Sequence, residues 1–509
     1  MFGNVLFITA DQWRGDSLGC VNHPFLSTPT LDELAADGVL FRNHFANTAP
    51  CGPSRASLYT GMYAQNHRSI LNGTPLDACF DNVALLARRA GYVPALFGYT
   101  DTSVVPRTVA PDDPQLQCYE GVLPGFDPVV NDPELYGSLR WAEWLRSKGV
   151  DTPPDVQRLY EPRTDVAGTE HHGASWAPTQ FAAEHTETAF MIESLIGWLE
   201  ERENSPFFAH LSLIRPHAPF RNPLGYHDLY SADLITEFVG CESREEEMSI
   251  HPLNRLAIDL PGVGCPISDL DRRQQRVTYH AMQREVDDQL ARLITYLKTT
   301  GLYESTLIIF TSDHGEMGGD HWLQEKLGYW DQSYHIPLIV RDPRADATRG
   351  QVVNAFTESV DLLPTIADWV GEPIPLQCDG HSLAPLISSG EIPAHWRDAV
   401  FWEWSFADPE HLLPETLLGI PSSHCALNVV RTATHKYVQF AADSSVFEPL
   451  LFDLTESPHE SRNLIGTVTG DAAAFQMAQR LIRWRMRNDE RTLSSQFLSE
   501  SKGLISRSS

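Results

Sequence analysis

The chain has 509 residues, of which 38 are Lys or Arg and 67 are Asp or Glu, giving a formal net charge of −29 at pH 7. A surface this acidic repels phosphate backbones and anionic headgroups, so nucleic acid and membrane surfaces are excluded as general partners, and any anionic substrate needs a local positive site. The hydrophobic share of 42% and the charged share of 21% are those of a packed globular protein, and no apolar run approaches the roughly 20 residues that a spanning helix requires.

Residues 5–10 form a short apolar run that predicts a strand. A strand that early leaves no room for an export segment, so a cytoplasmic location is expected. Helical spacing follows at 30–38 and 82–90, with a second strand at 93–98. Residues 101–175 are rich in Pro, Asp and Gly with little periodicity and predict a long irregular excursion, as do residues 221–270. Helices at 184–201 and 273–300 alternate with strands at 207–213, 306–311 and 338–340. That alternation predicts an α/β fold with a doubly wound, mostly parallel sheet, in which ligands lie beyond the carboxyl ends of the strands.

Past about residue 395, short strands at 399–403, 427–431, 437–440 and 450–454 precede a helix at 471–487. They predict a smaller antiparallel sheet with a packed helix. The expected organisation is a catalytic domain over 1–395, an α+β subdomain over 396–491 and a tail over 492–509. Leu493, Phe497, Leu498, Leu504 and Ile505 in the tail are too dispersed to form a core and too apolar for a solvated end, so the tail is frayed or docks on another subunit. The eight cysteines are scattered without a C-x-x-C pair, which suits neither a disulfide scaffold nor a structural zinc site.

The sharpest local feature is Cys51-Gly52-Pro53-Ser54-Arg55, continuing to Thr60-Gly61. Pro53 suits a first helical turn, which places Cys51 at a positive helix end with Arg55 four residues on, on the same face, where an anion can be held. Asp11-Gln12 follows the first strand and Asp313-His314 follows the strand near 307–312, so two oxygen-rich pairs end two strands and together can cage one divalent ion. Alone, either pair reads equally well as a turn or a helix cap. His217 comes straight after the strand at 207–213, placed to contact a substrate oxygen or protonate a leaving group, and Lys326 lies just beyond the second pair.

The string from Cys51 to Gly61 resembles the C-x-P-S-R-x-x-x-x-T-G signature of the formylglycine sulfatases of the alkaline phosphatase superfamily. The similarity runs along nearly the whole chain and is nearest the phosphonate monoester hydrolase branch, through Asn66-His67-Arg68, Gly98-Tyr99-Thr100, Pro106-Arg107-Thr108, Phe356-Thr357-Glu358-Ser359 and Cys378-Asp379-Gly380. The resemblance implies an alkaline-phosphatase-like fold and a Cys51 oxidised to formylglycine by a separate generating enzyme, its hydrate being the nucleophile. It implies that Asp11, Gln12, Asp313 and His314 bind one divalent ion together with position 51; the oxygen-and-imidazole donor set suits manganese or calcium. It further implies that Arg55 holds the diol, that His217 and Lys326 bind the anionic group, that Asn72 and Tyr99 line the site, and that the chain assembles as a homodimer or homotetramer.

Two departures bear on substrate choice. Gly98-Tyr99-Thr100-Asp101 stands where many arylsulfatases carry G-K-W-H, while Ser54 follows the sulfatase signature where the phosphonate hydrolases have alanine; Asp101 stands where that branch has threonine. The expected activity is hydrolysis of small sulfate monoesters of the arylsulfatase type, with phosphonate monoesters and phosphodiesters as the alternative at the same site. A metal-dependent phosphotransferase or mutase using an unmodified residue and a non-catalytic, sulfatase-shaped ligand-binding protein are the readings from other classes. The intact spacing of nucleophile, ligands and cations argues against the second.

Overall fold

The computed structural model describes residues 3–130, 139–202, 205–489, 492, 494 and 496–506. From edge to edge its central sheet runs Gln351–Glu358, Val39–Phe45, Leu338–Arg341, Thr306–Thr311, Asn4–Ala10, Phe208–Leu213, Pro94–Phe97 and Asp127–Val130. Neighbours along this path are parallel except for the two pairings of Leu338–Arg341, and the short strand His335–Ile336 also pairs antiparallel with Val39–Phe45.

Asn4–Ala10 lies in the middle, paired on both sides and buried at every position, which is why it reads as an unbroken apolar run. Its side chains alternate between two layers of helices. Leu6, Ile8 and Ala10 join the core built with Glu187–Glu200 and Asp269–Thr299, while Val5 and Phe7 join the core built with Cys51–Thr60, Val83–Arg89 and Leu362–Val370.

The composition of the two excursions understates their order. Asp127–Val130 and Leu139–Ser147 fall within 101–175, and helices Arg244–Ile250 and Pro252–Asp259 fall within 221–270. The two longest strands that escaped the sequence pattern are in the central sheet. Val39–Phe45 turns polar at Arg42-Asn43-His44, and Gln351–Glu358 is an edge strand with exposed positions that mask its period.

The second sheet runs Leu450–Asp453, His435–Phe440, Ala426–Thr432 and Ala399–Ser405 in antiparallel order, closed by Thr48–Ala49 lying parallel to Ala399–Ser405. The segment leading into Cys51 is therefore a strand of this smaller sheet. Helix Val468–Arg487 packs on it through Ala474, Met477, Leu481 and Trp484 against Phe401, Tyr437 and Leu451. The tail forms a hairpin, Gln496–Ser499 with Gly503–Ser506, and Leu493 lies outside the described residues. Among the described residues no helix is long and apolar enough to cross a membrane.

The two sheets meet at a buried ionic knot. Glu358 accepts the Phe401 N–H at 2.8 Å and the Tyr63 hydroxyl at 2.7 Å, while Arg397 reaches Glu358 at 3.3 Å and Asp361 through Nη2 at 2.7 Å. Removing the cation would leave two buried carboxylates facing each other. Arg397→Ala should therefore cost about 3–5 kcal/mol, read as a lower midpoint in urea unfolding, and Arg397→Lys should recover part of that loss.

Candidate active site

Asn4–Ala10 and Thr306–Thr311 are adjacent and parallel, so the residues that follow them emerge side by side. Asp11-Gln12 and Asp313-His314 are those residues. Between them enters Cys51, the first residue of a helix whose ten residues are all buried. Donor atoms of Asp11, Cys51, Asp313 and His314 lie within 4.8 Å of one another. Cys51 Sγ is 3.1 Å from His314 Nε2 and 4.0 Å from Asp11 Oδ1, and His314 Nε2 is 3.6 Å from Asp11 and 3.8 Å from Asp313.

His314 Nδ1 sits 3.0 Å from the Gly315 carbonyl, which can only accept, so Nδ1 carries the proton and the Nε2 lone pair faces the cluster. Burial lowers the imidazole pKa and keeps it neutral. Two carboxylates and a neutral imidazole whose other nitrogen is held by a backbone carbonyl are a donor set that fits a divalent cation. The Cys51 thiol is in the opposite situation. Burial, followed by the Asp11 carboxylate, raises it well above its ordinary value, so it stays S–H and is a poor nucleophile as it stands.

Arg55, four residues into the helix, lies behind this cluster with no exposed surface. Nε donates to Asp313 Oδ2 at 2.9 Å and lies 3.5 Å from Asp101. Nη1 donates to Ser212 Oγ at 2.7 Å, the Tyr99 carbonyl at 3.3 Å and the Tyr59 hydroxyl at 3.4 Å; Nη2 donates to the Tyr99 hydroxyl at 2.8 Å and Asp11 Oδ2 at 3.2 Å. The guanidinium is spent on protein acceptors. With Cys51 unmodified, it clamps the two carboxylates from the rear.

Tyr99 lies beside this clamp. It is 3% exposed, its ring lies 4.1 Å from the guanidinium, and its hydroxyl donates to Asp11 while accepting from Arg55, so it braces the Asp11 carboxylate. Gly98 makes this possible, because at φ 107 a Cβ would lie 2.0 Å from the Ser212 carbonyl oxygen.

At the open side, Lys326 Nζ donates to Gln12 Oε1 at 2.8 Å, His217 Nε2 at 2.8 Å and Glu325 Oε2 at 3.0 Å. Burial would lower this ammonium, but the Glu325 and Asp11 carboxylates hold it well above its ordinary value, so it is a permanent positive charge. His217 Nδ1 lies 2.8 Å from the Ala218 carbonyl, which leaves Nε2 as an acceptor for the lysine. Gln12 joins the cluster through its backbone N–H, 3.2 Å from Asp313 Oδ1. Asn72 is exposed, and its Oδ1 accepts the Gly52 N–H at 2.9 Å beside position 51.

The structure therefore brings all ten sequence-predicted residues to one place, with Arg55 and Tyr99 behind it. It adds Ser212, Tyr59, Glu316, Tyr279 and Asp101, which sequence reasoning did not assign to the site. Ser212 and Glu316 had a weak signal, lying near the ends of the strands that deliver the other groups. Burial pushes the Asp101 carboxyl up to about 8, against the pull of Arg55. Burial, then Glu325, push Glu316 up to about 8 against the N–H groups that favour its charged form. Because Tyr99 supplies Asp11 with a buried O–H, Tyr99→Phe should weaken divalent-cation binding by about tenfold to a hundredfold, measured by calorimetric titration.

The sulfatase family model matches residues 3–372, and the N-sulphoglucosamine sulphohydrolase C-terminal model matches residues 319–487. The multifunctional alkaline phosphatase superfamily protein PehA of Trinickia caryophylli is 37% identical over 520 residues, covering 99% of each chain. The phosphonate monoester hydrolase of Agrobacterium radiobacter superposes with a TM-score of 0.93 at 42% identity over 100% of both chains, and that of Silicibacter pomeroyi with 0.91 at 38% over 99% of both. An arylsulfatase of Clostridium perfringens is 28% identical over 91% of this chain and 90% of its own. With a family model over most of its length and relatives of this identity from end to end, the chain belongs to the sulfatase family, hydrolases of the alkaline phosphatase superfamily.

Proposed function

We propose that this protein hydrolyses small anionic esters at the cluster around position 51, taking sulfate monoesters and, at the same site, phosphonate monoesters and phosphodiesters. The observation that carries this reading is the convergence of Asp11, Cys51, Asp313 and His314 donor atoms within 4.8 Å, with the Lys326 ammonium at the open side. The breadth of substrate is supported by the full-length likeness to phosphonate monoester hydrolases, combined with the Ser54 of the sulfatase signature.

Cys51 is the residue converted to formylglycine, by a separate generating enzyme. The C-x-P-S-R string supports this, and so does the thiol itself, which its surroundings hold in the unreactive protonated form. A manganese or calcium ion held by Asp11, Gln12, Asp313, His314 and the side chain at 51 would supply Lewis acidity, favouring the deprotonated nucleophile and drawing in the ester oxygens.

The remaining work falls to the chain. Arg55 and Tyr99 fix the Asp11 and Asp313 carboxylates from behind, so these need no reorganisation as charge develops. Lys326 gives up one of its three acceptors to meet a non-bridging substrate oxygen. His217 Nε2, freed from the lysine, takes up a proton from solvent and, as the imidazolium, gives that proton to the leaving oxygen. Asn72, fixed through its Oδ1 by Gly52, turns its amide N–H groups toward the substrate.

We also place the hairpin Gln496–Ser499/Gly503–Ser506 at a contact between copies in a homodimer or homotetramer, because Phe497 is 65% exposed and Leu498 79%. The eight free cysteines suit a reducing compartment, which supports a cytoplasmic location.

Three tests follow from this reading. Asp313→Ala, or removal of divalent ions by a chelator, should lower turnover of a matched sulfate ester, phosphonate ester and phosphodiester by several orders of magnitude together; full activity in a verified metal-free sample would contradict the assignment. Cys51→Ala should abolish all three while leaving the circular dichroism unchanged, whereas a surviving phosphate-transfer activity would favour the phosphotransferase. Deleting residues 493–509 should reduce the mass in solution by light scattering; an unchanged oligomer removes the hairpin's role.

A further inference from the structure

Glu316 is fully buried two residues past His314, and its carboxylate gathers N–H groups from three stretches of chain. Oε2 accepts from Gln12 Nε2 at 2.5 Å, and Oε1 accepts from the backbone of Gly318 at 2.7 Å and of Glu325 at 2.9 Å. On the far side of the same amide, Gln12 Oε1 accepts from Lys326 Nζ at 2.8 Å. An ammonium can only donate, so the Gln12 atom facing it must be oxygen and the atom facing Glu316 must be nitrogen.

A primary amide is chemically two-faced. Turned over, Gln12 would set N–H groups against the lysine and lose its oxygen as a candidate ligand. N–H groups on both oxygens, two backbone donors on Oε1 and Gln12 Nε2 on Oε2, leave Glu316 as an acceptor only, the charged form that those contacts favour, and an acceptor there admits only one of the two orientations. Gln12 is constrained elsewhere too, with a left-handed φ of 69 that is uncommon for a residue with a Cβ, its N–H on Asp313 at 3.2 Å and its carbonyl under the Tyr279 hydroxyl at 2.7 Å. The Glu325 N–H on the same carboxylate anchors the residue just before Lys326.

We propose that Glu316 is a positioning residue of the site: it sets the Gln12 amide with oxygen toward Lys326 and the cation cluster, and it anchors the backbone from which Lys326 reaches in. The Gln12 part rests on the cation site argued above. Through these two contacts Glu316 acts on cation affinity and on substrate binding without touching either partner.

Glu316→Gln keeps the shape and an acceptor for the two backbone N–H groups, but it places an amide opposite Gln12 Nε2. In full-length protein stripped with a chelator and titrated calorimetrically with manganese, this variant should bind the ion at least about tenfold more weakly than wild type. Its KM for the ester should rise more than its kcat falls. The paired change Gln12→Glu with Glu316→Gln exchanges donor and acceptor across the contact and should recover most of the affinity, which a merely structural role for Glu316 would not allow; Gln12→Glu alone sets two carboxylates together and should not recover it. Wild-type affinity in Glu316→Gln, or a paired variant no better than Glu316→Gln, overturns the role of Glu316 alone. A wild-type protein that takes up neither manganese nor calcium overturns the cation site and the role of Glu316 with it.

Discussion

Two carboxylates aimed at one point repel each other, and burial sharpens that repulsion because the medium between them is poorly polarisable. Asp11 and Asp313 are in that position, delivered by neighbouring parallel strands and fully buried. What makes the arrangement stable is Arg55, whose planar fork reaches Asp313 through Nε and Asp11 through Nη2 while its other N–H groups are absorbed by Tyr99, Ser212 and Tyr59. A lysine has neither the reach nor the number of donors to do this. Against burial, which raises it, the surrounding positive groups, Arg55 and Lys326 among them, hold Asp11 well below the usual carboxylate range, so it remains an anion ready for a cation.

This clamp explains why the nucleophile and the arginine share one short helix. Cys51 at the first position points to the cluster, and one turn later Arg55 reaches behind it, so a single rigid element fixes the distance between the reacting atom and the charge that holds its neighbours. The helix is buried along its whole length and enters from a strand of the smaller sheet, Thr48–Ala49, so that sheet helps to place the reacting residue as well as cover the core. The Glu358–Arg397–Asp361 knot ties the end of the central-sheet strand Gln351–Glu358 to Phe401 of that smaller sheet.

Much of this was legible in the sequence. The buried central strands read as apolar runs, and the polar pairs that end them, Asp11-Gln12 and Asp313-His314, meet in the structure as the doubly wound fold requires. The string from Cys51 to Arg55 fixed the helix start within a residue. What a linear pattern does not carry is direction. That Arg55 turns to the rear, and that Tyr99 spends its hydroxyl on Asp11, depends on which strand lies beside which and on the freedom of Gly98 to take φ 107. Glu316 was overlooked for a related reason: its three donors come from segments more than 300 positions away, nine away and two away, a convergence that exists only in the folded chain. Val39–Phe45 was missed because polar Arg42-Asn43-His44 interrupt its period, and the tail hairpin because its few apolar residues face outward.

The claim on which the account turns is that the reacting group at position 51 is no longer a thiol. Peptide mass analysis of purified, active protein addresses it directly, because oxidation replaces the CH2–SH of Cys51 with an aldehyde of lower mass. The fraction carrying the aldehyde should track the specific activity from one preparation to the next. Fully active protein whose residue 51 is found only as unmodified cysteine would contradict it.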